Sequence, residues 1–157
     1  MAISFDGASG FSMPLGASLY PPPPFHFHGA RMAWARFEAD PAAVAQMLPP
    51  GVVPGQAAPI CELCVCNYPS TTFGPYLEAY IHVRVKLDGV DYWYQPLIFT
   101  DREPALAAGR EIWGYAKKLA VMEWREEAEQ LIFTIERPRG KRLLTFTITR
   151  DLETYPL

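Results

Sequence analysis

The chain has 157 residues, half of them hydrophobic and a fifth charged, with a net charge of −3 and a pI near 5.6. That length fits one domain with a real apolar core. The weakly acidic balance excludes the basic field that nucleic acid or an anionic membrane requires. No run approaches the ~18 apolar residues of a membrane span.

Residues 1–24 are rich in Gly, Ser and Pro and close on Pro21 to Pro24, an N-terminal arm without helical or strand period. No Lys or Arg occurs in the first twenty residues, so the charged start of a secretory signal is missing and a cytoplasmic location is expected. His26 and His28 follow at strand spacing; two histidines make a thin metal site, and a hydrogen-bonded or solvated pair is the simpler reading. Ala33 to Phe37 alternates as a strand. Asp40 and Pro41 open a short helix that stops before Pro49 and Pro50.

Ile60 to Asn67 reads as a strand, apolar except for Glu62 and carrying Cys61, Cys64 and Cys66. A structural zinc needs four ligands and no second ligand pair follows, so the thiols are read as core. Tyr76 to Leu87 alternates over a longer stretch, placing Tyr76, Glu78, Tyr80 and His82 on one face. Asp88-Gly89 is a tight-turn signal, and Asp91 to Phe99 returns as the partner strand. A helix is expected over residues 104–113, ended by Gly114. Val121 to Glu126, Leu131 to Glu136 and Lys141 to Thr149 supply three more strands. The sum is a single, mostly antiparallel β domain, closed or strongly curved, with short flanking helices. A last strand so near the C-terminus leaves an open edge unless another segment covers it.

Lys117 and Lys118 are the ionisable residues in the least ordinary setting, between Ile112-Trp113-Gly114-Tyr115-Ala116 and Leu119-Ala120-Val121-Met122. Only a neutral amine attacks a ketone, and with an ordinary pKa roughly one lysine in two thousand is neutral at pH 7. Bringing that pKa to about 6–7 costs roughly 5 kcal/mol of ammonium stability, and burial or a neighbouring cation supplies it. Adjacent residues of an extended segment face opposite ways, so Lys118 is expected to aim away from Lys117. The apolar neighbours Trp113, Tyr115 and Leu119 would then supply most of the effect. Glu62, within an apolar strand, either faces solvent by alternation or is held in a polar pocket, the solvated edge being the simpler reading. Glu78 alternates with other polar side chains, which makes a solvent-facing position the simpler reading there too.

The run Asp101-Arg102-Glu103-Pro104, Gly109-Arg110-Glu111 and Tyr115-Ala116-Lys117-Lys118-Leu119 resembles the lysine motif of the acetoacetate decarboxylase family. The resemblance extends more weakly from about residue 20, through Phe27-His28, Leu48-Pro49, Glu62 and Glu78. It implies a curved antiparallel β-barrel and a homo-oligomer. It makes Lys117 the Schiff-base lysine, Lys118 the neighbour that tunes it, and Glu62 and Glu78 pocket carboxylates. Arg31, Arg110, Trp113 and Tyr115 are the candidate substrate contacts. The implied reaction is decarboxylation of acetoacetate or a related β-keto acid, with no metal or organic cofactor, since the lysine itself supplies the electron sink.

Three departures accompany the resemblance. Ala116 stands where the family has proline. Arg31 lies one residue late for the arginine that holds the substrate carboxylate, and a one-residue shift turns a strand side chain to the other face. The chain is also shorter than the family domain, its C-terminal part being absent. The alternatives are aldolase or dehydratase chemistry on the same lysine, or a non-catalytic small-molecule binding module.

Overall fold

Asp88 and Gly89 both have positive φ, 50° and 79°, the backbone of a two-residue hairpin turn. They join β6 (Tyr76–Leu87) to β7 (Val90–Thr100), the long antiparallel pair at the centre of the computed structural model. The structure describes residues 18–149. Most of the expected proline-rich arm and the closing Leu152 to Leu157 segment lie outside the described residues.

Around this hairpin stands a six-stranded sheet. β2 (Arg31–Glu38) and β4 (Ile60–Tyr68) extend it on one side and β8 (Lys117–Leu119) on the other, in the order β2-β4-β6-β7-β8, and β3 (Val52–Pro54) also pairs with β6. β1 (Phe27–His28) and β5 (Ser70–Thr71) form a small two-stranded ladder beside it. α1 (Pro41–Met47) begins where Asp40 accepts a hydrogen bond from the Ala42 N–H, 3.2 Å, with proline in its first turn. Its Val44 drops into a cluster with Cys61, Val83 and Val85.

α2 (Glu103–Trp113) also starts with proline in its first turn and ends at Gly114, whose φ of 70° is the left-handed cap that a Cβ would strain. This helix is a crossover. It carries the chain from β7 to β8 (Lys117–Leu119), which pairs parallel to β7. Because the helix brings the chain back alongside the last three residues of β7 and running the same way, this ladder departs from the antiparallel plan of the others among the described residues. Its buried face is Ala105, Ala107, Ala108 and Gly109, small residues that let the helix lie close on the sheet.

β9 (Val121–Glu127), β10 (Gln130–Glu136) and β11 (Arg142–Thr149) follow as an antiparallel three-stranded sheet with β10 in the middle. Leu131, Phe133 and Ile135 of β10 meet Val65 and Ala79 of the larger sheet, forming the main core cluster. The expectation of a mostly β domain with two short helices holds. The four strands of two or three residues were not anticipated, since such lengths are too short to show a period.

Candidate active site

The opposite face of the larger sheet is polar. Register places Cys66 across from Glu78, Cys64 across from Tyr80 and Glu62 across from His82. Next door, Ile98 pairs with both Tyr80 and Lys117, so the lysine strand brings its first residue to the same face as Glu78. Lys117 is buried, and its Nζ donates to Glu78 Oε2 at 2.5 Å. Lys118 pairs with Phe99, faces the other way and is exposed.

Burial pushes the Glu78 carboxyl above the usual carboxylate range, and the Lys117 ammonium beside it pulls the other way. A proton thus has two neighbouring homes, amine and carboxylate, with no water needed between them. Lys117 Nζ also lies 5.7 Å from the centre of the Tyr76 ring. Burial raises the Tyr68, Tyr76 and Tyr80 phenols, which keeps all three protonated.

Two contacts from α2 hold the lysine. A Cβ added at Gly109 would stand 2.5 Å from Lys117 Cδ and Cε, so the alkyl chain occupies the space that glycine leaves. Arg110 Nη1 donates to the Lys117 carbonyl at 3.1 Å, which fixes the strand rather than reaching into the pocket. Above them opens a cavity of about 370 Å³ with Lys117 and Glu78 in its wall, along with Trp113 and Tyr115. Further rings from Phe25, Phe27, Phe73, Tyr68 and Tyr76 complete it. Tyr20 anchors the approach to this roof. It packs on Ala107 and Ala108, and its hydroxyl donates to Glu111 at 2.7 Å, with its phenol pushed up to about 12 by burial first and that bond second.

The structure therefore gathers Lys117, Glu78, Trp113 and Tyr115 around one cavity. Glu62 lies two cross-strand pairs away, bonded to Arg36 Nε at 2.9 Å and 4.0 Å from His82 Nδ1. Burial holds the His82 imidazole below its ordinary value despite that carboxylate. Arg31 lies outside the cavity. It pairs with Asn67 on the other face of β2, forms an ion pair with Glu126 and lies 5.6 Å over the Trp124 ring.

Sequence reading overlooked the Phe25, Phe73 and Tyr76 walls and the glycine under the lysine. Tyr76 was within reach, since it precedes Glu78 by two residues on one strand face; Phe25 and Phe73 are in loops, where no periodicity reports a facing. Two further features lie on this face, the Cys64–Cys66 pair, whose thiols the sequence reading placed in the core, and Thr100, which carried no signal. Cys64 and Cys66 bring their sulfurs within 3.6 Å, and the Cys66 thiol, followed by Tyr80, draws Cys64 down to about 7 while Cys66 is driven up. Thr100, directly across from Glu78, is buried with its hydroxyl unpartnered.

The family model described as acetoacetate decarboxylase matches residues 12–156. Among curated proteins, the acetoacetate decarboxylase of Ralstonia nicotianae is 32% identical over 127 residues, covering 80% of this chain and 51% of that one. The acetoacetate decarboxylase of Chromobacterium violaceum is 35% identical over 109 residues, covering 69% and 44%. The solved acetoacetate decarboxylase of Legionella pneumophila superimposes with a TM-score of 0.70 at 30% identity, over 87% of this chain and 56% of that one. The enduracididine biosynthesis enzyme MppR, solved with pyruvate, shares the fold with a TM-score of 0.67 at 19% identity, over 87% and 60%. This chain spans about half the length of the curated relatives it matches. With the family model running over nearly all of it, the chain belongs to the acetoacetate decarboxylase family.

Proposed function

We propose that the protein is a lyase that forms a Schiff base through Lys117 and decarboxylates a β-keto acid. The observation that carries this reading is the buried Lys117–Glu78 contact of 2.5 Å in the wall of a ring-lined cavity. Glu78 takes the proton that the ammonium must shed, and the amine adds to the ketone carbon. Loss of water gives a protonated imine. The bond to the carboxylate carbon then breaks, its electron pair moving onto the iminium, and carbon dioxide leaves an enamine. The proton that Glu78 took from the ammonium goes to the departing hydroxyl as the imine forms. A second proton, drawn from water through Glu78, is therefore delivered to the enamine carbon before water releases the ketone and the lysine. Lys118 has no part in this sequence because it faces away.

A homo-oligomer is part of the proposal. β2 is an edge strand, and its Met32 and Trp34 are half exposed.

The position of Arg31 favours one alternative, aldolase or dehydratase chemistry on the same imine, because that guanidinium is committed to Glu126 rather than to a substrate carboxylate. Borohydride trapping with acetoacetate, mapped by peptide mass, separates the readings. The proposal expects an isopropyl-sized adduct on Lys117 that is absent from Lys117→Ala and forms about 100-fold more slowly in Glu78→Gln. An adduct that retains the carboxyl group would point to the aldolase reading. A complete absence of adduct would leave a binding module.

A further inference from the structure

The walls of the Lys117 cavity are more aromatic than a four-carbon keto acid requires. Trp113, Phe25, Phe73 and Tyr76 form a continuous chain of rings, with centroids 5.7, 4.7 and 6.4 Å apart in turn. Tyr68 lies 4.7 Å from Tyr76, and Phe27 lies 5.5 Å from Tyr68 and 6.1 Å from Phe73. All six of these contacts are tilted or edge-on, the geometries that aromatic pairs favour, so a further ring at the open end of the chain can pack in the same way.

Tyr76 is buried and Phe25, Phe73 and Tyr68 are half-buried, whereas two of the rings stand exposed. Phe27 is 45% exposed and Trp113 52% exposed, and both line the cavity. Aromatic surface left in water at the mouth of a pocket gains most from an apolar occupant that spans it. Acetoacetate bonded at Lys117 extends only a methyl group from its ketone carbon, which leaves the outer rings uncovered. At about 370 Å³ the cavity falls within the range of sites that hold larger, ring-bearing ligands.

We propose that the cavity selects a keto acid whose ketone bears an aromatic substituent, with Phe27 and Trp113 as the specificity-determining residues. The proposal rests on the Schiff-base reading of Lys117 and names the substrate class for it. A suitable probe is 3-oxo-4-phenylbutanoate. Its ring is one methylene removed from the ketone, so the carbonyl keeps the reactivity of an alkyl ketone while the ring reaches the mouth.

The test compares kcat/KM for 3-oxo-4-phenylbutanoate and acetoacetate on the full chain, with borohydride adducts measured in parallel. The expected result is a preference for the aryl substrate of about tenfold or more, from ring burial and edge-on contacts. That ratio should fall toward one in Trp113→Ala and in Phe27→Ala, each checked for a native circular dichroism spectrum. Adducts from both substrates with equal or higher kcat/KM for acetoacetate would overturn the inference and leave the Schiff base intact. No adduct from either would overturn both. If the variants change the oligomeric mass while the ratio stays fixed, the rings belong to a subunit interface and the inference fails.

Discussion

A glycine inside a helix costs about 1 kcal/mol relative to alanine, yet Gly109 sits mid-helix in α2. Its reason is the lysine, whose Cδ and Cε fill the place of the missing Cβ. Gly109→Ala should therefore separate fold from chemistry. The atoms that must yield are the flexible end of a side chain, so the melting temperature should hold or rise slightly. Nζ would leave Glu78, and borohydride adduct formation should fall at least tenfold. A variant that traps at the native rate would show that the contact has no role in placing the amine. At this scale the sequence was informative where alternation applies. That Lys117 and Lys118 face opposite ways follows once their segment is taken as extended, the choice of Lys117 as the inward one resting on the family resemblance, and the shared face of Tyr76 and Glu78 follows from a strand period of two. It was silent on the fit between Gly109 and Lys117, which depends on how closely a helix approaches a sheet. It also could not tell Glu62 from Glu78 as the lysine's partner, because that depends on which strands become neighbours.

At the scale of elements, the β10–β11 turn is held by charge. Glu136 accepts from the Gly140 N–H at 2.9 Å and from Arg142 at 3.2 Å, and these bonds, the backbone one first, hold its carboxyl below the usual range. An unfolded glutamate titrates near pH ~4.3, so the folded carboxylate is the one that resists protonation. Its contribution is present in full above that pH and is lost as pH falls through the lower folded value. Glu136→Gln should accordingly melt below the native protein at pH 7, with the gap narrowing in thermal scans as the pH falls below the usual glutamate range. A gap independent of pH would mean that the carboxylate does not hold the turn. The elements were legible where they are long or carry turn chemistry. Asp88-Gly89 announces the hairpin, and Asp40-Pro41 and Gly114 mark helix ends. β8, with three residues, has no readable period, and the parallel ladder it makes is dictated by the crossover helix before it.

In the molecule as a whole, two sheets share one core, and β10 carries most of the smaller sheet's side of it. Phe133 is fully buried at that junction, edge-on to Trp124. Phe133→Ala removes it at a cost of about 3–5 kcal/mol. Total stabilities are only about 5–15 kcal/mol, so the urea midpoint should drop steeply. A shift of less than about 1 kcal/mol would mean that the two sheets are not held together there. The mostly β class was legible from counting alternating runs. The sheet order was not, because β2, β4 and β6 pair across stretches of chain that carry no local instruction about partners. The Lys117–Glu78 contact joins positions 39 apart, whereas the supporting hairpin closes over two residues. Short loops lose less entropy on closing than long ones, so near contacts form ahead of distant ones. A refolding chain accordingly has its hairpin before it has the Lys117–Glu78 pair, and the return of that contact reports a stage later than hairpin closure.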